Sequence, residues 1–158
     1  MFYWQMMNAG KVRQLGLDVS ANIEKRWGND WTVSATGSYS YLSATDRTDP
    51  SELSYGDQIA YTPHHSGSAN ILIHSPWLDF GYNVLLMGER YTLGYNIPHN
   101  RMSAFTDHSI TLSREFNINK QQLRVQLDVR NLGNKNYEVV RFYPMPGTNW
   151  RLSVSWEL

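Results

Sequence analysis

The sequence predicts an all-β protein, an antiparallel up-and-down meander of about eight strands that forms part of a transmembrane β-barrel. Three observations predict it. Apolar and polar residues alternate in segment after segment, with the period of two that gives a strand one apolar face and one polar face. From Trp27 onward the connections between segments alternate short and long, the asymmetry of a barrel whose short turns lie on one side of a membrane. The composition joins 13% aromatic residues to only 18% charged ones, with a mean hydropathy of −0.50, which suits a wall apolar on one face and hydrated on the other.

Taken in order, Met1–Met7 reads as a partial first strand, and Asn8-Ala9-Gly10-Lys11 as a tight turn, because Asn and Gly tolerate positive φ. Gln14–Glu24 alternates Leu15, Leu17, Val19, Ala21 and Ile23 with polar residues, and Trp27–Asp30 turns the chain. Trp31–Tyr41 sets Trp31, Val33, Ala35, Tyr39 and Tyr41 against a row of hydroxyls. Ala44–Pro63 breaks the alternation with Asp, Pro and Gly, so it is expected to be a long loop. Ser66–His74 and Leu78–Leu86 are strands joined by the short reversal Ser75–Trp77, and Thr92–Phe105 is a second long loop. Thr106–Phe116 alternates except for Arg114, whose long side chain can snorkel to the interface, and Asn117–Gln121 is a short turn. Leu123–Arg130 alternates without a break, Leu132–Gly147 is the third long loop, and Asn149–Leu158 carries Trp150, Leu152, Val154, Trp156 and Leu158 on one face. Tryptophans near both ends of that last row suit a membrane–water boundary.

Several function classes are disfavoured. Lys plus Arg and Asp plus Glu are both 14, so there is no basic field for nucleic acid, and the absence of Cys removes disulfides and thiolate metal sites. No run approaches the ~18 apolar residues of a membrane-spanning helix, so spanning has to be by strands. Met1–Met7 lacks the basic region, apolar run and cleavage site of a signal peptide, so the chain is expected to be a mature piece or a fragment beginning inside a strand. His64, His65, His99 and His108 show no metal-ligand spacing. Asp107-His108-Ser109 spells triad residue types, but alternating geometry parts their side chains, so no catalytic residue is expected.

The run Asn131-Leu132-Gly133-Asn134-Lys135-Asn136-Tyr137-Glu138, then Tyr143-Pro144-Met145-Pro146-Gly147-Thr148-Asn149-Trp150 and a terminal alternating strand, resembles the C-terminal end of TonB-dependent outer-membrane receptors. Asn8–Asp18 resembles that family's hairpin more weakly, with Asp18 where Glu is usual. The resemblance implies residues 1–158 as the C-terminal portion of a 22-stranded barrel, without the plug domain that fills it and contacts TonB. It implies no cofactor. It implies as partners outer-membrane lipid, the remaining barrel and plug, TonB through that plug, a small nutrient ligand (a metal chelate, a corrinoid or a glycan) and the barrel-assembly machinery. That machinery reads a terminal aromatic residue in the family; Leu158 departs from this, which shifts the signal toward Trp156.

Within this frame Arg124, Gln126, Asp128 and Arg130 are expected on a hydrated lumen face, packed against a plug rather than forming a substrate site. Tyr55, Tyr91, Tyr95, Phe142 and Tyr143 are candidates for aromatic contact with a captured ligand, weighed against interface-girdle and loop-packing roles. Two other classes stay open on sequence: a self-contained eight-stranded barrel acting as an adhesin or wall protein, and a soluble β-sheet binding domain.

Overall fold

The structure, a computed structural model, describes residues 10–28, 30–118 and 121–157. In chain order the elements are β1 (Val12–Trp27), β2 (Trp31–Asp46), β3 (His65–His74), β4 (Asp79–Met87), β5 (Arg90–Tyr91), β6 (Arg101–Met102), β7 (Phe105–Ile118), β8 (Gln121–Arg130), β9 (Glu138–Val140), β10 (Tyr143–Pro144) and β11 (Asn149–Glu157). Seven of them form one antiparallel meander, β1-β2-β3-β4-β7-β8-β11, while β5–β6 and β9–β10 are small hairpins inside the second and third long loops. The all-β meander is as the sequence predicts. The partial strand at Met1–Met7 and the terminal Leu158 lie outside the described residues.

Register carries the alternation across the whole sheet. Ile23, Ala35, Ile71, Tyr82, Ile110, Val129 and Trp150 stand opposite one another in a single row over seven strands. The adjacent row, Glu24, Ser34, Leu72, Gly81, Thr111, Asp128 and Arg151, lies on the other face and is polar except at Leu72 and Gly81. A slip of one residue in any strand would turn its apolar set to the wrong side, so the pattern fixes the pairing.

Among the described residues none covers the apolar face. Leu15, Ile23, Trp150 and Val154 are 66%, 67%, 72% and 62% exposed, whereas among the described residues the buried apolar ones are Ala44, Met102 and Phe105, all near the long-loop end. A water-soluble sheet would have turned such a face inward. The polar face is instead tied by cross-strand hydrogen bonds between directly opposed residues: Thr36 to Asn22 (3.2 Å), Ser38 with Ser68 (2.8 Å), Asn70 to Asn83 (2.5 Å), Thr111 to Asp128 (2.9 Å) and Arg151 to Asp128 (3.3 Å).

Aromatic rings collect toward both ends of the apolar face. At the short-turn end Trp31 meets Trp77 edge-on at 5.9 Å, Lys25 lies 5.0 Å over Trp27, and Arg114 lies 5.0 Å over Phe116. The cation–π contact of Arg114, worth roughly 0.5–1 kcal/mol, gives this intruding cation an aromatic partner in its own row, two residues on. From Trp31 to Tyr39 at the other end is about 26 Å along the strand, or about 20 Å when tilted by the usual ~40°.

Strand lengths differ from expectation at one place in particular. The expected loop beginning at Ala44 starts later, because β2 stays paired with β1 through Asp46, in register with Val12. β3 reaches only to the level of Tyr41, and the free edge of β2 beyond it is completed by loop residues. The Gln58 amide accepts from Ala44 N–H (2.8 Å) and donates to Leu42 C=O (2.9 Å), while Ile59 N–H donates to Ala44 C=O (2.8 Å). A glutamine acting as a piece of backbone leaves no hydropathy signal.

The two faces make a direct prediction. Leu127→Arg, in the centre of the apolar face between Leu112 and Leu152, should destabilise folding into lipid vesicles by about 2–4 kcal/mol. Ser153→Arg, on the opposite face of the neighbouring strand, should change it by no more than about 0.5 kcal/mol. Equal costs, read from equilibrium unfolding followed by tryptophan fluorescence, would contradict the assignment of faces.

Candidate functional site

The three long loops at one end of the wall are tied into a layer. Loops 1 and 2 are joined by Tyr61 N–H to Tyr91 C=O (2.7 Å) and by Asn96 N–H to the Asp57 carboxylate (2.9 Å). Loops 2 and 3 are joined by Arg90, which is 3% exposed and donates from Nη2 to the carbonyls of Glu138 (2.6 Å) and Val139 (3.0 Å). The Arg90 guanidinium also lies 5.5 Å over the ring of Phe105. Burial lowers the Arg90 pKa from its ordinary value, partly countered by Tyr61.

The motif Asn131 to Tyr137 is the staple of loop 3. Asn131, buried and at φ +50°, accepts from Lys135 N–H through Oδ1 (2.9 Å). Its Nδ2 donates to the carbonyls of Lys135 (2.8 Å) and Pro146 (3.0 Å). Asn134, at φ +46°, accepts from Thr148 N–H (3.1 Å), and the Thr148 hydroxyl donates back to Asn131 C=O (2.6 Å). Asparagine suits both places because it tolerates the left-handed region and carries donor and acceptor together. Gly147 leaves room for this contact, since a Cβ there would come within 2.7 Å of Asn134 Oδ1 and displace the amide that accepts from Thr148. Tyr137 then stacks on Phe105 at 4.1 Å and donates to Asp107 Oδ2 at 2.8 Å. Phe105 and Asp107 share a face with Thr111 and Ser113, so loop 3 comes down on the polar side of the wall. Burial, with the hydrogen bond to Asp107 and its charge adding, pushes the Tyr137 phenol up to about 12.

A cavity of about 580 Å³ opens between loops 2 and 3, with Phe105, Tyr137 and Phe142 as its aromatic walls and Arg101, Lys135, Arg141 and Glu138 as its charged groups. Arg101 is paired with Glu89 at 3.5 Å, so the rim and that partner together leave an excess of one positive charge, which favours an anionic occupant. Of the five aromatic residues singled out by sequence, Phe142 lines this cavity and Tyr55, Tyr91, Tyr95 and Tyr143 do not. Phe142 is 71% exposed at φ +69° with its N–H donated to Glu138 (3.1 Å), and Tyr143 beside it is 68% exposed. A bulky residue in the left-handed region is uncommon and costs of order 1–3 kcal/mol, a strain found mostly at functional positions. Tyr55 lies beneath Arg47 (5.0 Å), the Tyr91 hydroxyl donates to Glu89 (3.2 Å), and the Tyr95 carbonyl accepts from Asn100 (3.2 Å). Arg90, Arg101, Lys135 and Arg141 were not singled out, because they are scattered singly along the chain and only the loop contacts assemble them.

On the polar face Arg124, Gln126, Asp128 and Arg130 stand in one column, opposite Ser155, Ser153, Arg151 and Asn149 of β11. Asp128 is buried and also accepts from Gln126 (3.0 and 3.1 Å), so it is the anchor of this column. On the apolar face Trp150, Leu152, Val154 and Trp156 form the exposed row of β11, and Trp156 Nε1 donates to Gln121 (3.1 Å). Asp107 and Ser109 face the polar side while His108, on the other, is bonded to the Tyr82 hydroxyl at 2.8 Å.

Residues 2–132 match the family model described as TonB dependent receptor-like, beta-barrel, which is well over half of the 158 residues. No curated protein matches the chain.

Two outcomes test this loop architecture. Asn131→Ala removes three hydrogen bonds at a buried site, about 3 kcal/mol together, and should speed proteolytic cleavage between residues 132 and 148 at least tenfold; unchanged cleavage would show that the staple is not what holds the loop. Tyr137 favours folding up to the ordinary phenol range near 10, and this contribution falls as pH rises from there through about 12, because the unfolded phenol ionises first. The ultraviolet titration difference between the parent and Tyr137→Phe should therefore have its midpoint near 12; a midpoint near 10 would contradict the buried phenol.

Proposed function

The chain belongs to the TonB-dependent receptor β-barrel family, whose members are outer-membrane transport receptors, and from that premise we propose that it forms the C-terminal part of the barrel of a nutrient importer. Its apolar face meets membrane lipid, its polar face lines the lumen against a plug domain, and its short turns face the periplasm. The three loops face outward and take part in capturing a scarce nutrient, which TonB admits by acting on the plug. The β11 row ending in Trp156 serves as the signal for barrel assembly, and Tyr55, Tyr91, Tyr95, Phe142 and Tyr143 are the aromatic contacts available to the nutrient.

The observation that carries this reading is the cavity between loops 2 and 3, placed at the end of the polar face and rimmed by Arg101, Lys135 and Arg141. Of the nutrient classes open to such a receptor, a metal chelate bearing negative charge fits that rim best. Capture depends on charge at the rim and flat aromatic area at Phe142, and the tied loops hold both in place before binding, which lowers the ordering cost.

In cells relying on this receptor for an anionic metal chelate, uptake should be saturable and should fall to background when TonB is deleted. Arg141→Ala combined with Phe142→Ala should raise the half-saturating concentration about tenfold, equivalent to about 1.4 kcal/mol. Uptake that persists without TonB would contradict the transport reading, and uptake unchanged by the double substitution would remove this cavity from it.

A further inference from the structure

The loop cavity does not account for a second recess on the other side of the wall. Its volume is about 420 Å³ and its lining includes Tyr39, His65, Leu86, Thr106 and Lys135. Register places Tyr39, Gly67, Leu86 and Thr106 in one row across β2, β3, β4 and β7, on the apolar face and toward its long-loop end. Gly88, which lines the recess, keeps its upper part low: a Cβ there would come within 2.6 Å of His65 C=O. The result is a groove with an apolar floor on a face that otherwise carries a continuous apolar surface.

Polar groups gather at its upper rim. Lys135 Nζ donates to Thr106 Oγ1 (2.8 Å), using one of the three N–H donors of an ammonium. The Tyr39 hydroxyl is bonded to His65 Nδ1 (2.7 Å), which occupies one ring nitrogen and orients the imidazole. Among the described residues no Asp or Glu lines the groove. A cation, an imidazole and a phenol above an apolar floor, at the level where strands give way to loops, match the headgroup–acyl boundary of a lipid leaflet.

We propose that this groove binds a phosphate-bearing lipid of the surrounding membrane, with the phosphate on Lys135 and His65 and an acyl chain lying over Leu86 beside Tyr39. The assignment rests on the apolar face being the lipid face. Lipid is the occupant because the floor demands hydrocarbon, and phosphate is its headgroup because the rim offers positive charge and donors without a competing carboxylate.

The test is native mass spectrometry of the delipidated receptor in detergent, titrated with dioleoyl phosphatidic acid or dioleoylglycerol, which differ in the phosphate. Phosphatidic acid should be retained in preference. Lys135→Met should weaken it about fivefold, the weight of one cation at an anionic membrane surface, and Lys135→Arg should restore it. His65→Leu, which is no part of the loop cavity, should weaken it as well, and glycerol phosphate, which lacks the chains, should not compete. Equal retention of the two lipids, indifference to both Lys135→Met and His65→Leu, or displacement by glycerol phosphate would overturn the proposal. Heat-modifiable gel mobility shows that each variant is folded. Failure of the folded parent to insert into vesicles would fault the lipid-face reading itself, whereas insertion without phosphate preference would fault the groove alone.

Discussion

Everything in this structure depends on the unbroken ladder of backbone hydrogen bonds across seven strands. In hydrocarbon an unpaired N–H or C=O costs several kcal/mol, so a strand can cross only if its neighbours pair it along its whole length. Once the ladder is continuous, register assigns every side chain to one face or the other, and the sequence makes one face mainly apolar and the other mainly polar, with exceptions at Leu72 and Arg114. The need to finish the ladder also explains Gln58, whose amide pairs the edge of β2 where β3 has ended. β1 and β11 each leave one edge without a partner strand among the described residues, and those are the edges at which further barrel strands would continue the wall.

The wall was legible in the sequence because the period of two is a local signal and each strand repeats it. Leu123 to Arg130 and Asn149 to Glu157 fall on the faces that alternation assigns. Strand ends were less legible where pairing outlasts alternation, as in β2, whose last residues Ala44 to Asp46 read as loop but remain bonded to β1. The loop cluster was legible only in part. The Asn131 motif was visible as a resemblance, yet its work, four polar contacts that fold a chain segment onto itself, appears only with coordinates. Arg90 gave no signal at all, since nothing in its neighbours along the chain announces a guanidinium that ties loop 2 to β9.

Charge is sorted with the same economy as hydropathy. The formal net charge is zero, but Lys25 and Arg114 lie over rings near the short turns, the buried carboxylate of Asp128 organises the polar face, and Arg101, Lys135 and Arg141 gather at the loops. The loops as a whole are balanced, since Asp49, Glu52, Asp57, Glu89 and Glu138 offset Arg47, Arg90, Arg101, Lys135 and Arg141, so the sorting is local to the cavity. Lys135 stands between the loop cavity and the groove on the apolar face.

The central claim is that the two faces meet different solvents, and the absence of native cysteines allows it to be tested with single labels. Spin labels placed one at a time from Leu123 to Arg130 in the membrane-inserted protein can be probed for collision with oxygen, which partitions into lipid, and with a water-soluble nickel chelate. Leu123, Val125, Leu127 and Val129 should respond to oxygen, and Arg124, Gln126, Asp128 and Arg130 to the chelate, in strict alternation. A uniform response along the strand, or one with the two sets exchanged, would contradict the account.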